Sequence, residues 1–295
     1  MYTLENSLLQ ITINPTGSEL QSITSVKHNT QFMWDGNPDI WSGFAPILFP
    51  IVGGLKQDTY YFNDKAYKLP RHGFYRRNKD IKLYKQGADS LTFKLESNDE
   101  LYQIYPFAFE FYTTYQLKEH HILITHKVKN VDTKTMYFSL GEHPAFKCPV
   151  FDGETYEDYI LEFEHSETSK THLLDNSGLL NLETQAILQN SKTLQLHKQM
   201  FNNDALIFKD LASKSVTLTS KNKGPILTVT FQDFPYLGLW AKPQANYICI
   251  EPWLGIADNI DSNQNITEKE GIIKLAPNNE FQASYGIEIS KKHLE

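Results

Sequence analysis

The chain has 295 residues, 40% of them hydrophobic and 21% charged, which is the composition of an ordinary soluble globular protein. Its 28 Lys and Arg against 35 Asp and Glu give a net charge of −7, which argues against a nucleic-acid or anionic-membrane partner. The two cysteines, Cys148 and Cys249, form no disulfide framework and have no metal-ligand spacing.

The start of the chain lacks the basic and apolar regions of a signal peptide, and no stretch has the length needed to span a membrane. We therefore expect a cytoplasmic enzyme or binding protein without a membrane partner. The aromatic share of 13% is high. It fits a chain with many strands, and it also fits a carbohydrate site in which rings stack on the apolar faces of a sugar.

Alternation of apolar and polar residues predicts strands along most of the chain. Residues 60–69 read as a hairpin with Asn63-Asp64 at its turn. The other predicted strands lie near residues 7–13, 20–26, 31–34, 81–86, 90–96, 107–117, 122–128, 136–146, 159–164, 194–196, 205–208, 216–220, 226–231, 236–240, 247–251 and 281–289. Residues 261–271 hold the best short helix candidate. The sequence therefore predicts an all-β protein, with two large packed antiparallel sheets in a single domain over residues 1–295.

Two segments break the alternation. Residues 41–54 are apolar but are interrupted by Gly and Pro, so they cannot form a regular element. Irregular apolar chain must still satisfy its backbone groups, and it commonly lines a site. Residues 70–77 place His72 between Pro70-Arg71 and Gly73, where the strand pattern stops.

The predicted strand 247–251 ends on a carboxylate. Tyr247 to Ile250 favour a buried strand, and Pro252 stops any hydrogen-bond ladder just past Glu251. Burying a carboxylate without partners is costly. Glu251, with Trp253 beside it, is therefore expected to be paired, solvated in a pocket or functional.

Three further titratable residues lie where a strand ends or a polar turn meets a strand: His72, His143 and Asp204. With Glu251 they could form a metal set or an acid/base set. No pair has local metal-ligand spacing, which weakens the metal interpretation. For Asp204 alone, a turn or cap role is the simpler explanation.

Other chemical signatures are weak. Residues 53–56 lack the flanking residues of a phosphate-binding loop, and no Gly-x-Ser-x-Gly elbow is present, which argues against a serine hydrolase. His126 lies on the inner face of strand 122–128 and is expected to be a packed structural histidine.

Several motifs in order along nearly the whole chain resemble those of the aldose 1-epimerase (galactose mutarotase) family, most closely its LacX-like branch. Each motif is short, and only their joint occurrence in this order is specific. They are Phe49-Pro50-Ile51-Val52-Gly53, Leu69-Pro70-Arg71-His72-Gly73-Phe74, Gly141-Glu142-His143-Pro144-Ala145-Phe146, Asn203-Asp204-Ala205-Leu206-Ile207-Phe208, Phe234-Pro235-Tyr236-Leu237-Gly238-Leu239-Trp240, Ile248-Cys249-Ile250-Glu251-Pro252-Trp253 and Leu275-Ala276-Pro277-Asn278-Asn279-Glu280-Phe281.

The resemblance implies a β-supersandwich of two large antiparallel sheets and an enzyme that interconverts the α and β anomers of a hexose without a metal or cofactor. By motif, Glu251 would be the general base for the C1 hydroxyl, and His143 the general acid for the ring oxygen. His72 would hydrogen-bond the sugar near the ring oxygen, and Asp204 would hold a sugar hydroxyl.

We include Arg71, Arg76 and Trp240 among the expected sugar-binding residues. One departure concerns the position after the Phe-Pro-Ile-Val-Gly motif, where this branch is expected to carry an arginine. Here that residue is Gly54. Lys56, Arg71 or Arg76 are the candidates to replace the missing cation.

Two alternatives to an epimerase of a neutral hexose follow from the same residues. Arg71, Arg76 and Arg77 could hold a phosphate, which would make the substrate a hexose 6-phosphate. These arginines could equally belong to a solvated turn. A non-catalytic sugar-binding or sensing protein is the third possibility, which the Gly54 departure makes more credible.

Overall fold

The computed structural model describes all 295 residues, and 22 strands account for most of the regular structure. In chain order the strands are β1 (Tyr2–Glu5), β2 (Leu9–Asn14), β3 (Glu19–Ser25), β4 (Ile47–Leu48), β5 (Thr59–Phe62), β6 (Lys65–Lys68), β7 (Lys82–Gln86), β8 (Ser90–Glu96), β9 (Phe109–Lys118), β10 (His121–Asn130), β11 (Met136–Phe138), β12 (Leu140–Glu142), β13 (Ala145–Lys147), β14 (Tyr159–Leu174), β15 (Leu180–Gln195), β16 (Leu206–Phe208), β17 (Ser215–Ser220), β18 (Gly224–Thr230), β19 (Tyr236–Trp240), β20 (Tyr247–Leu254), β21 (Ile273–Leu275) and β22 (Glu280–Ile289).

Helical structure is scarce. The one α-helix, α1, spans Asp99–Ile104 and is capped by the side chain of Asn98. Single 3-10 turns cover Thr16–Ser18, Lys56–Asp58, Tyr75–Arg77, Tyr156–Asp158 and Lys291–His293. None of these helices has the length and hydropathy that crossing a bilayer requires.

Two large antiparallel sheets organise the strands, which confirms the predicted fold class. A nine-stranded sheet runs in the order β15-β14-β17-β18-β22-β10-β9-β8-β7. A six-stranded sheet runs β16-β19-β20-β12-β4, with β13 also paired to β20. Smaller sheets are β1-β2-β3, β5-β6 and β11-β21.

Burial along the strands explains why they form. In β9 the residues alternate between buried and half-buried, so one face of the nine-stranded sheet packs on the core. In β20 every residue is buried, because this strand lies inside the six-stranded sheet with both faces covered. Much of the aromatic content goes into this core, where Phe49 of the broken apolar segment packs against Phe109 and Phe111.

His126 is buried, as predicted for a packed structural histidine, and it belongs to a buried polar network. Its Nε2 lies 2.6 Å from Oε1 of Glu142, and its Nδ1 lies 3.3 Å from the Thr113 hydroxyl. The Tyr285 hydroxyl donates to the other Glu142 oxygen at 2.9 Å. The close approach of His126 to Glu142 is not a hydrogen bond, so it and the two hydroxyl contacts offset only part of the cost of burying these groups.

The predicted helix over residues 261–271 is wrong, because this segment is a series of turns. The side chains of Ser262, Asn263 and Asn265 each accept a hydrogen bond from the backbone N–H two residues further on. Such local bonds offer the backbone an alternative to helical bonding.

The region between residues 159 and 196 also differs from expectation. Two short strands were predicted there, whereas β14 and β15 form a hairpin of two 16-residue strands at the edge of the nine-stranded sheet. Most of β15 is exposed or half-buried, so its sequence carries little apolar alternation. The tip of this hairpin lines part of a cleft over the six-stranded sheet.

Candidate active site

A cleft of about 750 Å³ opens over the six-stranded sheet. All seven residues that the sequence nominated line it, although they come from distant parts of the chain: Arg71, His72, Arg76, His143, Asp204, Trp240 and Glu251. The structure therefore brings the predicted set together in one place.

His143, in the two-residue break between β12 and β13, faces Glu251 of β20. β12 and β13 both pair with β20, with Gly141 opposite Trp253 and Ala145 opposite Cys249. The same register places His143, which lies midway between them, opposite Glu251. Pro144 has no N–H to donate there, while its carbonyl accepts from the Ile250 N–H. The His143 Nε2 and Glu251 Oε2 atoms are 3.4 Å apart.

The pair lies in a dry environment. Glu251 is 1% exposed, and its Oε2 accepts no hydrogen bond. Burial raises the pKa of the Glu251 carboxyl well above its ordinary value, against the opposing effects of Arg71 and the Trp253 indole. Burial also lowers the pKa of His143 to about 3. The free site therefore favours a carboxylic acid beside a neutral imidazole.

His72 is fixed by two hydrogen bonds with Gly53. Its backbone N–H donates to the Gly53 carbonyl at 2.9 Å, and its ring Nδ1 accepts from the Gly53 N–H at 3.2 Å. Because Nδ1 accepts, the neutral ring carries its proton on Nε2. Burial holds the pKa of His72 well below its ordinary value, with neighbouring His143 acting in the same direction.

The backbone around His72 is in an uncommon conformation. His72 has φ +69°, and Gly73 follows with φ +69°. A Cβ at Gly73 would lie 2.2 Å from the carbonyl oxygen of Phe49, so only glycine fits there. Left-handed backbone at a non-glycine residue often marks a functional site.

Asp204 is in a turn, as its sequence context suggested, and it also lines the cleft. Its backbone has φ +75°, and its Oδ1 accepts from the Ala205 N–H. Its Oδ2 lies 3.9 Å from Nη2 of Arg71, and both side chains are more than a third exposed. This long, solvent-exposed ion pair is a weak one and leaves both groups able to contact a ligand.

The arginines differ from one another. Arg76 lines the cleft without an ion pair or side-chain hydrogen bond, while Arg77 is exposed and lies outside the cleft lining. Lys56 is directed away, since its Nζ donates to the Ser262 carbonyl. Of the three candidates to replace the missing cation, Arg71 and Arg76 therefore line the cleft and Lys56 does not.

Gly54 itself does not line the cleft. A Cβ at this position would meet Leu179 at 3.6 Å and the Gly178 carbonyl at 3.7 Å, in the turn that joins β14 to β15. Arg71 lies against the same turn, since a Cβ on Gly178 would come within 2.6 Å of its Nη1. The Arg71 guanidinium thus lies at the turn toward which a side chain at position 54 would project.

Several cleft residues were not predicted from the sequence. Trp41 is one of them, and it stacks on the His143 ring with centroids 5.0 Å apart. The predicted Trp240 meets the same ring edge-on at 5.5 Å. Trp41 belongs to the broken apolar segment that was expected to line a site. The hairpin tip adds Asp175, Asn176 and Gly178, for which the sequence offered no signal beyond a turn.

These features define an antiparallel β-sandwich protein with a buried carboxyl–imidazole pair at the floor of a cleft lined by indole rings and hydrogen-bonding groups. Residues 1–284 match the family model described as aldose 1-epimerase. The chain belongs to the aldose 1-epimerase family.

Relatives cover nearly the whole chain. The chromosomal protein LacX of Lactococcus lactis subsp. lactis is 36% identical over 295 residues, which is 97% of this chain and 98% of the relative. The solved structure of a galactose mutarotase related enzyme from Lactobacillus acidophilus is 36% identical, with a TM-score of 0.93 over 98% of this chain and 97% of that one. A galactose mutarotase-like protein from Lactobacillus casei is 28% identical, with a TM-score of 0.92 over 98% and 100% of the two chains. The resemblance inferred from the motifs is confirmed.

Proposed function

We propose that the protein is an aldose 1-epimerase that interconverts the α and β anomers of a hexose by acid/base ring opening. The observation that carries this proposal is the buried pair of His143 and Glu251, with nitrogen and oxygen 3.4 Å apart at the floor of the cleft. Opening a cyclic hemiacetal requires removal of a proton from the C1 hydroxyl and delivery of one to the ring oxygen. An adjacent base and acid can perform both transfers on one small ring.

The proposed reaction begins from the charged form of the pair. Glu251 as carboxylate takes the proton of the C1 hydroxyl, and His143 as imidazolium protonates the ring oxygen while the C1–O5 bond breaks. The product is the open-chain aldehyde, a Glu251 carboxylic acid and a neutral His143. Rotation about C1–C2 presents the other carbonyl face, and closure returns both protons.

Burial of the His143–Glu251 pair favours these proton transfers. A carboxylate in a dry site is a stronger base than in water, and an imidazolium there is a stronger acid. The neutral pair produced by ring opening is the form that the environment prefers. The neutral and charged forms contain the same single proton, so binding of sugar needs only to shift it from Glu251 to His143.

The surrounding groups suit a polyhydroxylated ligand. His72 presents an Nε2–H that can donate to a sugar oxygen, because its Nδ1 is occupied by Gly53. Asp204 offers an acceptor for a hydroxyl, and the rings of Trp41 and Trp240 offer apolar surface.

A phosphorylated hexose is the second candidate substrate, and Arg76 is the observation that favours it. Burial, with Arg77 and Arg71 nearby, lowers the pKa of Arg76, yet no carboxylate of the protein forms an ion pair with it. A partly buried guanidinium without a partner is suited to bind an anion.

Anomer exchange measured by NMR or polarimetry tests the proposal, using glucose, galactose and their 6-phosphates in parallel. Catalysed equilibration of a free hexose supports the first substrate class, and selective equilibration of a phosphate supports the second. If saturable binding occurs but no sugar equilibrates faster than in buffer, the protein is a sugar sensor and the epimerase proposal is wrong.

A further inference from the structure

Cys249 has no role in the chemistry proposed above, yet it lies directly behind the acid/base pair. It precedes Glu251 by two residues on β20, so both side chains are on the same face of the strand. The thiol is free and fully buried. The cleft lining includes His143 and Glu251 but not Cys249, so the thiol lies beneath the surface of the cleft.

The three side chains converge. One ligand atom from each of His143, Cys249 and Glu251 lies within 4.8 Å of the other two, and the His143–Glu251 distance is 3.4 Å. Tetrahedral Zn²⁺ with bonds of about 2.0–2.3 Å separates its ligand atoms by roughly 3.3–3.8 Å. Small side-chain adjustments would therefore bring all three atoms to bonding distance.

A second observation points to a ligand at this position. Glu251 Oε2 is buried and makes no hydrogen bond, although His143 Nε2 lies 3.4 Å away, and Nδ1 of His143 also lacks a hydrogen bond. Buried polar atoms are normally satisfied, so an unpartnered carboxylate oxygen beside a thiol is an open coordination position. Thiolate, imidazole and carboxylate together form a donor set suited to Zn²⁺.

We infer that Zn²⁺ and similar thiophilic divalent cations bind to His143, Cys249 and Glu251 from the cleft side. The fourth ligand is a water molecule or a hydroxyl in the cleft. A bound cation occupies lone pairs that Glu251 and His143 would use in proton transfer, so cation and reactive sugar exclude each other. The inhibitory consequence rests on the proposed function, whereas the binding itself does not.

Binding must release protons. Cys249 coordinates as a thiolate, and the proton of its thiol leaves to solvent together with the proton shared by Glu251 and His143. Release of protons on addition of Zn²⁺ or Co²⁺ is therefore part of the expected binding reaction.

The test must distinguish this site from a second group of residues that could bind a metal ion. His120, His121 and Glu288 also cluster, at the start of β10 and the end of β22, but they include no sulfur. Titration of the full chain with Co²⁺ separates the two, because only a thiolate ligand gives a near-ultraviolet sulfur-to-cobalt charge-transfer band. We expect this band in the wild-type protein and in His121→Ala, and we expect Zn²⁺ to abolish it.

Cys249→Ser should lose the band, whereas Cys148→Ser, which removes the other buried thiol, should keep it. His143→Ala should retain the thiol but weaken Co²⁺ binding by at least about 100-fold. Absence of the band in the wild-type protein, or its persistence in Cys249→Ser, overturns the inference.

A separate arm measures anomer exchange with Zn²⁺ and then with excess chelator, normalised to the untreated protein. Reversible inhibition is expected. Because the cobalt band does not depend on activity, a protein that binds Co²⁺ through Cys249 but epimerises no sugar would refute the proposed function alone. A protein that epimerises sugar with the metal bound would refute the inhibitory role.

Discussion

His143 and Glu251 are held opposite each other by strand register, with Nε2 and Oε2 3.4 Å apart, although they lie 108 positions apart in the sequence. Neither residue depends on a mobile loop for its position, since β20 is buried at every residue and pairs with strands on both sides of the contact. The geometry of the proposed acid/base pair is thus a property of the sheet.

Glu251→Gln is expected to lower the rate of catalysed anomer exchange by about 10²- to 10⁴-fold, because the amide keeps the shape of the side chain but cannot take a proton. The measurement is exchange between anomer resonances at equal protein concentration. Glu167→Gln is the matched control, since Glu167 is also buried but binds Ser213 outside the cleft. A Glu251→Gln variant with the wild-type rate would contradict the assignment of the base.

The pH dependence of kcat/KM should show an acid limb well below pH 6.5. Burial lowers the pKa of His143 to about 3 and raises that of Glu251, so the pair keeps one proton over a wide range. Only below the His143 pKa does the pair gain a second proton, and activity is then lost as pH falls. Rates measured from pH 4 to pH 8 check this, and an acid limb with its midpoint near 6.5 would disagree with a dry pair.

Glu251→Gln should also change stability in a pH-dependent way. The folded-state pKa of Glu251 is raised, so the stability linked to its proton is fully present below the ordinary pKa of 4.5 and is lost as pH rises toward the folded value. The loss is about 1.4 kcal/mol per pH unit while only the unfolded chain has released the proton. Glutamine does not titrate, so the free energy of unfolding of the variant should rise relative to that of the wild type between pH 5 and pH 8.

Urea denaturation of both proteins at the two pH values measures this difference. Stabilities that differ by the same amount at pH 5 and pH 8 would mean that Glu251 titrates alike in the folded and unfolded chains.

Gly53→Ala and Gly54→Ala are expected to differ sharply, although the positions are adjacent. Gly53 has φ +72°, and a Cβ there would lie 2.7 Å from the Cα of Ala257, so alanine should cost about 1–3 kcal/mol. It should also slow anomer exchange, because the Gly53 N–H orients His72. A Cβ on Gly54 meets only ordinary contacts, and its backbone is not left-handed. Gly54→Ala should leave stability within about 0.5 kcal/mol of wild type.

Urea denaturation and the rate of anomer exchange, measured for both variants, test this difference. Equal losses in both variants would show that position 53 has no special role in holding His72.

Arg76→Gln should raise KM for a hexose 6-phosphate by roughly 10- to 100-fold if this cleft binds the phosphate, because a charge-assisted hydrogen bond is lost. Arg77→Gln is the matched control, as Arg77 is adjacent but exposed and outside the cleft lining. Its KM should stay near that of the wild type. Equal effects of the two substitutions would indicate general electrostatic attraction rather than a phosphate contact.

Much of the site was predictable from the sequence because most of its residues lie where Pro and Gly break the strand pattern. The predicted end of the strand at Glu251 is wrong, since β20 continues through Pro252 to Leu254 and pairs with β19 there. The motifs around His72, His143, Asp204 and Glu251 carried both the local break and the family resemblance, and the hairpin with Asn63-Asp64 at its turn is present as β5 and β6. These are local signals, which sequence patterns report well.

The rest depends on tertiary geometry or on competing local bonds. The length of β14 and β15 was missed because an edge hairpin exposed over most of its surface needs no apolar alternation. Stacking of Trp41 on His143 requires a loop to fold back on the sheet. The convergence of Cys249 with His143 and Glu251 arises from cross-strand register, so no ligand spacing along the chain could have indicated it.

The β14–β15 hairpin belongs to the nine-stranded sheet, whereas the acid/base pair is held by the six-stranded one. The part of the cleft lined by the hairpin tip is therefore encoded apart from the proposed acid/base pair. We expect substitutions at the hairpin tip to leave the distance between His143 and Glu251 unchanged. Under the proposed function, this architecture allows the substrate preference to change while the acid/base pair is kept.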